Sequence, residues 1–181
     1  MLRVGNPEQI VRVLPSTAGQ KPLVIIPQGC IIDVAGTIAD SNCTAARGGL
    51  FNPSQSESWD NLGDYALGLD TNLGYNDTGT YGLDSISLGF TDVAGGLKLK
   101  SQVIVSTGSG DFYLGLFGLG VQGTTLVKDK ATESTYLRTL KDNGLIPSLS
   151  WGYTAGAGYR KCISIIGTLV ERIRCYVLEY L

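Results

Sequence analysis

Histidine is absent from all 181 residues of the sequence. Its absence excludes the Ser-His and Cys-His nucleophilic systems and every metal site that uses an imidazole ligand. Acid–base chemistry would have to come from carboxylate, tyrosine, cysteine or lysine side chains. The four cysteines do not have zinc-knuckle spacing. We therefore expect no metal site and no cofactor.

Long apolar runs and an excess of positive charge are also missing. No stretch approaches the roughly 18 uninterrupted apolar residues that a membrane-spanning helix needs. Fourteen basic and 16 acidic residues give a net charge of −2, which provides no basic surface for nucleic acid. We expect neither a membrane span nor a nucleic-acid partner.

Glycine and other turn-forming residues are abundant. The 25 glycines lie among Ser, Thr, Asn and Asp residues that separate short apolar runs, a pattern typical of an all-β protein with many turns. The 43% hydrophobic content argues against disorder. Strands are predicted over 2–14 (interrupted by a turn), 22–26, 97–107 and 112–120. A hairpin is predicted with the arms DYALGLDTNLGYND (64–77) and GTYGLDSISLGF (79–90).

One helix is predicted in the body of the chain, over STYLRTLKDNGLIP (134–147). Ser134 is the expected N-cap, Gly144 the stop signal, and Pro147 lies beyond the end. From Lys161 the composition changes, and KCISIIGTLVERIRCYVLEYL has the pattern of an amphipathic helix. The chain is accordingly divided into a domain over 1–160 and a divergent tail over 161–181.

Five segments, in chain order, resemble the N-terminal lobe of the pepsin-like aspartic proteases, particularly the secreted fungal kind. They are VGNPEQIVRVLPSTAGQKPLVIIPQGC (4–30), RGGLFNPSQSESW (47–59), GTYGLDSISLG (79–89), LGLFGLG (114–120) and TYLRTLKDNGLIPSLSWGY (135–153). The resemblance implies one lobe of a bilobal, mostly antiparallel β fold. It also implies a peptide or protein substrate or ligand, and a second lobe that this sequence does not contain.

The catalytic position of that family is altered here. Aspartic proteases need two carboxylates about 3 Å apart that share one proton. Counted from Gly5, the position of the family's Asp-Thr-Gly-Ser is filled by Ser16, Thr17, Ala18 and Gly19. A serine hydroxyl does not ionise at working pH and cannot share a proton with a carboxylate. We therefore expect the chain to be catalytically inactive.

Two other aspartates compete for the catalytic role. Asp33 follows two isoleucines, but it lies beyond the strand pair and is expected in a turn. Asp77, in NDTGTYG, begins the sequence Asp-Thr-Gly-Thr, which matches the signature of the family. It falls at the tip of the predicted flap hairpin, however, and Asn-Asp-Thr-Gly is a common turn sequence. The resemblance places the flap at Asn72, Tyr75, Asp77 and Gly79. Tyr75 is the nearby candidate for the family's substrate-covering tyrosine.

The cysteine spacing allows one local disulfide. Cys30 and Cys43 are separated by 12 residues and resemble a short disulfide loop of the family, although unlinked thiols remain the alternative. The state of Cys162 and Cys175, in the divergent tail, is left open.

Two asparagines, Asn42 and Asn76, stand in N-glycosylation tripeptides. Together with the resemblance they predict a secreted protein. The beginning of the sequence, MLRVGNPEQI, lacks the apolar core of a signal peptide.

Two functions follow as hypotheses. The first is an aspartic-endopeptidase lobe that has lost catalysis. The alternative is a non-catalytic pepsin-like binding module or inhibitor for peptide or glycan ligands.

Overall fold

The computed structural model describes residues 1–30, 42–69, 71–89, 98–125, 132–155 and 163–167, and within them the chain is mainly β. The strands are β1 (Leu2–Val4), β2 (Gln9–Val11), β3 (Val13–Ser16), β4 (Leu23–Ile25), β5 (Asp60–Ala66), β6 (Thr78–Leu88), β7 (Lys98–Thr107), β8 (Gly115–Gly118), β9 (Thr124–Thr125), β10 (Thr132–Glu133), β11 (Trp151–Ala155) and β12 (Ile163–Gly167). The helices are α1 (Cys43–Ala46) and α2 (Tyr136–Asp142), and 3₁₀ turns cover Pro27–Cys30, Pro53–Gln55 and Thr71–Leu73.

Eight strands form one sheet in the order β2-β1-β6-β7-β4-β8-β3, with β5 paired to β6. The expected antiparallel sheet is corrected to a mixed one, because β3 runs parallel to β8 and β4 runs parallel to β7. β8 lies between β3 and β4 and is antiparallel to β4. β3 and β4 are consecutive in the chain, but in the sheet they are separated by β8, which comes much later in the sequence.

The predicted hairpin forms, but its first arm is Asp60–Ala66 rather than 64–77, because a 3₁₀ turn at Thr71–Leu73 lies within the predicted arm. β5 and β6 pair antiparallel, with Asp64 opposite Thr80 and Tyr65 opposite Gly79. The register shifts between Asn61 and Gly63, and Gly63 takes a positive φ of 115° that favours glycine. β6 then continues across the sheet to pair with β1 and β7.

Apolar side chains pack in two buried clusters. The first lies between the sheet and α2, and its members are Leu2, Val4, Val11, Val24, Phe51, Ile86, Leu99, Ile104, Phe117, Leu119, Tyr136, Leu137, Leu140 and Ile146. The second lies below the β5–β6 hairpin, and its members are Leu23, Ile25, Leu67, Tyr81, Val103, Val105 and Phe112. The second cluster positions the site described below.

The predicted body helix is confirmed but shorter than expected. α2 buries Tyr136, Leu137 and Leu140, the apolar face seen in the sequence. Its N-cap is Thr135 rather than Ser134, since the Thr135 hydroxyl accepts the backbone N–H of Arg138 at 3.3 Å. Both residues can cap a helix, so the sequence alone did not separate them.

The described part of the divergent tail is a strand. β12 pairs antiparallel with β11 along its whole length, so the expectation of a helix is wrong for Ile163–Gly167. Isoleucine is frequent in this stretch, and β-branched residues favour strands. The rest of the tail, including Cys162 and Cys175, lies outside the described residues.

The predicted Cys30–Cys43 disulfide is confirmed, with the two Cα atoms 5.9 Å apart. It connects the 3₁₀ turn after β4 to the first residue of α1.

Arg47, directly after α1, is buried with 6% of its surface exposed. Its guanidinium donates to four backbone carbonyls: Gly29 O at 2.5 Å, Ser109 O at 2.6 Å, Phe112 O at 2.5 Å and Tyr113 O at 3.3 Å. Burial lowers the pKa of Arg47 from its ordinary value. The side chain joins the turn after β4 to the segment before β8.

Asp84, in the middle of β6, is 1% exposed. Its carboxylate accepts from the hydroxyls of Ser56 at 2.7 Å and Ser58 at 2.5 Å, and from the backbone N–H of Ser85 at 2.7 Å. The Ser56 hydroxyl also accepts the backbone N–H of Asn6 at 3.0 Å. This network joins the first turn of the chain to the loop before β5.

Candidate functional site

The loop after β3, which contains Ser16 and Gly19, forms a tight turn. The Ser16 hydroxyl accepts the backbone N–H of Gly19 at 2.9 Å. The carbonyls of Ser16 and Gly19 accept from Leu119 N and Gly120 N, both at 2.9 Å. The loop is therefore fixed within itself and against the residues after β8.

Glycine in β8 allows the loop to approach closely. A Cβ atom on Gly118 would lie 2.5 Å from Lys21 N, and one on Gly115 would lie 2.4 Å from Leu23 O. Real Cβ atoms do not approach backbone that closely, so a larger residue would displace the loop. Ala18, at the position where the resemblance implies a loop glycine, is exposed together with Thr17. The close approach is made by Gly19 and Gly118 instead.

A pocket of about 170 Å³ lies beside this loop and below the β5–β6 hairpin. Its lining comes from residues 18–21 of the loop, Leu23 of β4, residues 67–69 after β5, Tyr81 of β6 and Val105 of β7. Ser16 is not part of the lining. The lining is mixed: the loop and Tyr81 contribute polar groups, and leucine and valine side chains contribute apolar surface.

Lys21 and Tyr81 form the polar centre of the pocket. Lys21 Nζ lies 4.4 Å from the centroid of the Tyr81 ring and 3.3 Å from its hydroxyl oxygen. That hydroxyl donates to Ala66 O at 3.0 Å, so its oxygen accepts from Lys21. The Tyr65 ring packs edge-on against Tyr81 with centroids 5.4 Å apart. Tyr81 is thereby held from two sides, and it positions the ammonium.

Burial changes the titration of both groups. It lowers the pKa of Lys21 to about 8 and raises the pKa of Tyr81. At pH 7 an amine with that pKa is still about nine-tenths protonated. Among the described residues, the three ion pairs are Arg3–Glu8, Lys98–Glu8 and Arg138–Asp142. The Lys21 ammonium is therefore charged and has no carboxylate partner in this part of the chain.

The predicted flap residues separate into two groups. Gly79 lies at the edge of the pocket, where a Cβ atom would be 2.7 Å from Leu67 Cδ2. Asn72 is exposed in a 3₁₀ turn, and the Tyr75 ring packs on Phe112 with centroids 6.1 Å apart. Neither lines the pocket.

Sequence reasoning missed Lys21 and Tyr81. Tyr81 is two residues beyond Gly79 on the same strand, so the two share a face of the hairpin. Lys21 is a basic residue that directly precedes the apolar run PLVII (22–26). Both signals were present in the sequence, but neither shows that the two side chains meet.

Asp77 belongs to a surface turn. Its backbone carbonyl accepts Leu67 N at 2.9 Å, and its carboxylate accepts the hydroxyl of Ser109. Ser109 Oγ in turn accepts Asp111 N at 3.0 Å. Desolvation, a hydrogen bond with Asp77 and its negative charge raise the pKa of the exposed Asp111 carboxyl. The two carboxylates are neighbours outside the pocket lining, and Asp33 lies outside the described residues.

The two glycosylation candidates are both exposed. Asn42 directly precedes α1, and Asn76 precedes β6. Their modification stays a prediction.

No protein-family model matches the chain, and no match was found among curated proteins. The relation to pepsin-like proteases therefore stays a prediction from the sequence segments quoted above. In the described ranges, no three acidic or cysteine side chains are grouped so as to hold a metal ion. No helix of the described chain is long and apolar enough to cross a membrane.

The charge of Lys21 should make the fold less stable at neutral pH. Its folded-state pKa of about 8 is below the ordinary 10.5, so unfolding takes up a proton between those values and stability rises with pH across that window. Lys21→Met keeps the apolar stem and removes the charge. Because the side chain is only half-buried, screening reduces the effect, and we expect a gain of about 1 kcal/mol at pH 7.

The measurement is urea denaturation of both proteins at pH 7 and pH 10.5. Most of the difference in unfolding free energy should disappear at the higher pH, where Lys21 is neutral in the folded state and about half neutral in the unfolded state. A difference that does not change with pH would show that packing, rather than charge, is responsible.

Proposed function

We propose that this chain is a lobe of the pepsin-like type that has lost catalysis and binds peptide segments without cleaving them. The observation that carries the proposal is the turn after β3, where Ser16 replaces the required carboxylate and its hydroxyl accepts Gly19 N–H at 2.9 Å. The pocket beside this turn supports retained binding.

Nucleophilic catalysis by Ser16 has little support in the surroundings of its hydroxyl. An activated serine needs a base that accepts its proton. The described partner of Ser16 Oγ is a donor, the Gly19 N–H, and Lys21 Nζ is held on Tyr81. The sequence has no histidine to take that role.

Peptide binding fits the shape and chemistry of the pocket. Its apolar walls come from Leu23, Leu67 and Val105, and its polar groups come from the loop and the Tyr81 hydroxyl. Pockets for complete drug-sized ligands are larger, roughly 300–1,000 Å³. A pocket of about 170 Å³ suits one side chain of a longer segment.

The test is binding of fluorescein-labelled peptides with apolar side chains, measured by anisotropy and followed by mass spectrometry of the peptides. We expect saturable binding and intact peptides from pH 3 to pH 7. Ala18→Trp, at an exposed position of the lining, should weaken binding at least tenfold by filling the pocket. Thr17→Trp is the matched control, because Thr17 is equally exposed but does not line the pocket.

Two results would overturn the proposal. Peptide cleavage that is lost in Ser16→Ala would show an active site at this turn. Equal binding by the Ala18→Trp and Thr17→Trp variants would exclude the pocket as the binding site.

A further inference from the structure

The geometry points to a pocket that selects peptide segments carrying a carboxylate side chain, with Lys21 as the residue that recognises it. This inference rests on the proposed peptide-binding function and adds the chemical class of the bound side chain.

The direction of the Lys21 side chain is the first observation. Tyr81 positions Nζ through its ring, at 4.4 Å, and its hydroxyl, at 3.3 Å. The Tyr81 hydroxyl donates its proton to Ala66 O, so its oxygen is free to accept from Lys21. The ammonium therefore occupies a defined place in the pocket wall instead of extending freely into solvent.

The unused hydrogen-bonding capacity of Lys21 is the second observation. An ammonium has three N–H donors, and the Tyr81 oxygen accepts from one of them. None of the three ion pairs among the described residues includes Lys21. Two donors and one positive charge are available to a group that enters the pocket.

The composition of the remaining wall is the third observation. Leu23, Leu67, Leu69 and Val105 contribute apolar surface to the lining that also contains Lys21. A charge in such surroundings interacts more strongly with a counter-charge than it does in water. A carboxylate on a short aliphatic stem would satisfy both the ammonium and the walls.

Among the described residues that line the pocket, no other charged side chain would obscure the effect of pH. Of the lining residues on the loop, β4, β6, β7 and the segment after β5, only Lys21 and Tyr81 titrate. Burial raises the pKa of Tyr81 and lowers that of Lys21 to about 8. Between pH 6.5 and pH 10 the charge of this described lining therefore changes through Lys21.

The experiment compares two fluorescein-labelled hexapeptides that differ at one central position, glutamate in one and glutamine in the other, each flanked by leucines. Anisotropy titrations with the full chain at pH 6.5 should give a dissociation constant about tenfold lower for the glutamate peptide, as expected for a partly buried ion pair. At pH 10 the preference should fall to about twofold or less, because most Lys21 is then neutral.

Three variants separate Lys21 from other causes. Lys21→Met should bind both peptides equally, and Lys21→Arg, which keeps its charge at high pH, should retain the preference at pH 10. Lys100→Met is the control, since Lys100 is exposed on β7 and does not line the pocket. It should behave as the native chain does.

The outcomes distinguish this inference from the proposed function. Equal affinity of the native chain for both peptides would overturn carboxylate selection and leave peptide binding intact. A preference that survives in Lys21→Met would also overturn it. Absence of binding by both peptides would remove the proposed function and this inference together.

Discussion

Arg47→Met should destabilise the protein by about 3–5 kcal/mol, the largest effect we expect from a single substitution. Methionine fills most of the space of the stem but leaves the carbonyls of Gly29, Ser109, Phe112 and Tyr113 without their donor. A fully buried carbonyl that loses its partner costs about 1–3 kcal/mol, and the contact with Phe112 O is of this kind, while the other three are partly buried. Removing a buried charge recovers part of that cost, because burial already lowers the pKa of Arg47.

The loss of the carbonyl partners should outweigh this recovery, since four acceptors depend on one side chain. Urea denaturation followed by circular dichroism at neutral pH measures the difference in unfolding free energy between Arg47→Met and the native protein. Arg138→Met is the matched control, because Arg138 makes an exposed pair with Asp142 on α2, and it should change stability by no more than about 0.5 kcal/mol. Similar losses in the two variants would mean that the carbonyl contacts of Arg47 contribute little.

Asp84→Asn should cost about 2–3 kcal/mol although it changes the side chain by one atom. The carboxylate accepts three hydrogen bonds, from Ser56, Ser58 and Ser85. An amide can keep its oxygen toward Ser58 and Ser85, which directs its NH₂ group at Ser56 Oγ. That oxygen already accepts the backbone N–H of Asn6, so the Ser56 hydroxyl proton loses its acceptor.

The control for Asp84 is the same substitution at an exposed aspartate. Asp64 accepts the Thr80 hydroxyl at 2.6 Å, and an amide oxygen can replace that contact. Asp64→Asn should therefore stay within about 0.5 kcal/mol of the native protein. The two variants are compared by thermal and urea denaturation. An equal loss of stability in Asp84→Asn and Asp64→Asn would show that the buried hydrogen bonds of Asp84 are not the cause.

Local patterns in the sequence predicted local structure well. The apolar run after Pro22, the second arm of the hairpin and the apolar face of α2 all form the elements expected of them. These elements depend on periodicity, turn residues and capping, which act over a few neighbouring residues. The Cys30–Cys43 disulfide was predictable for the same reason, since its two ends are close in the chain.

Pairing between distant segments was not predictable in the same way. Val13 pairs with Gly115 in a parallel register, although the two are about a hundred residues apart and nothing in either segment specifies direction. The pocket depends on the same kind of contact, because Lys21 and Tyr81 come from different strands and loops. The sequence marked the Ser16 turn and the hairpin, but it did not show that a charged amine lies between them.

The late position of β8 in the chain also determines when, during synthesis, the Ser16 turn can be fixed in place. The two strands beside the Ser16 turn are made early in synthesis, yet the turn takes its hydrogen bonds from Leu119 and Gly120. A nascent chain that ends before residue 115 contains the whole loop but lacks the strand that fixes it. Contacts of such long sequence separation slow folding. The lining residues of the pocket are therefore all synthesised before the strand that fixes its loop, and until β8 is in place the apolar side chains of that lining are open to the chaperones that meet nascent proteins.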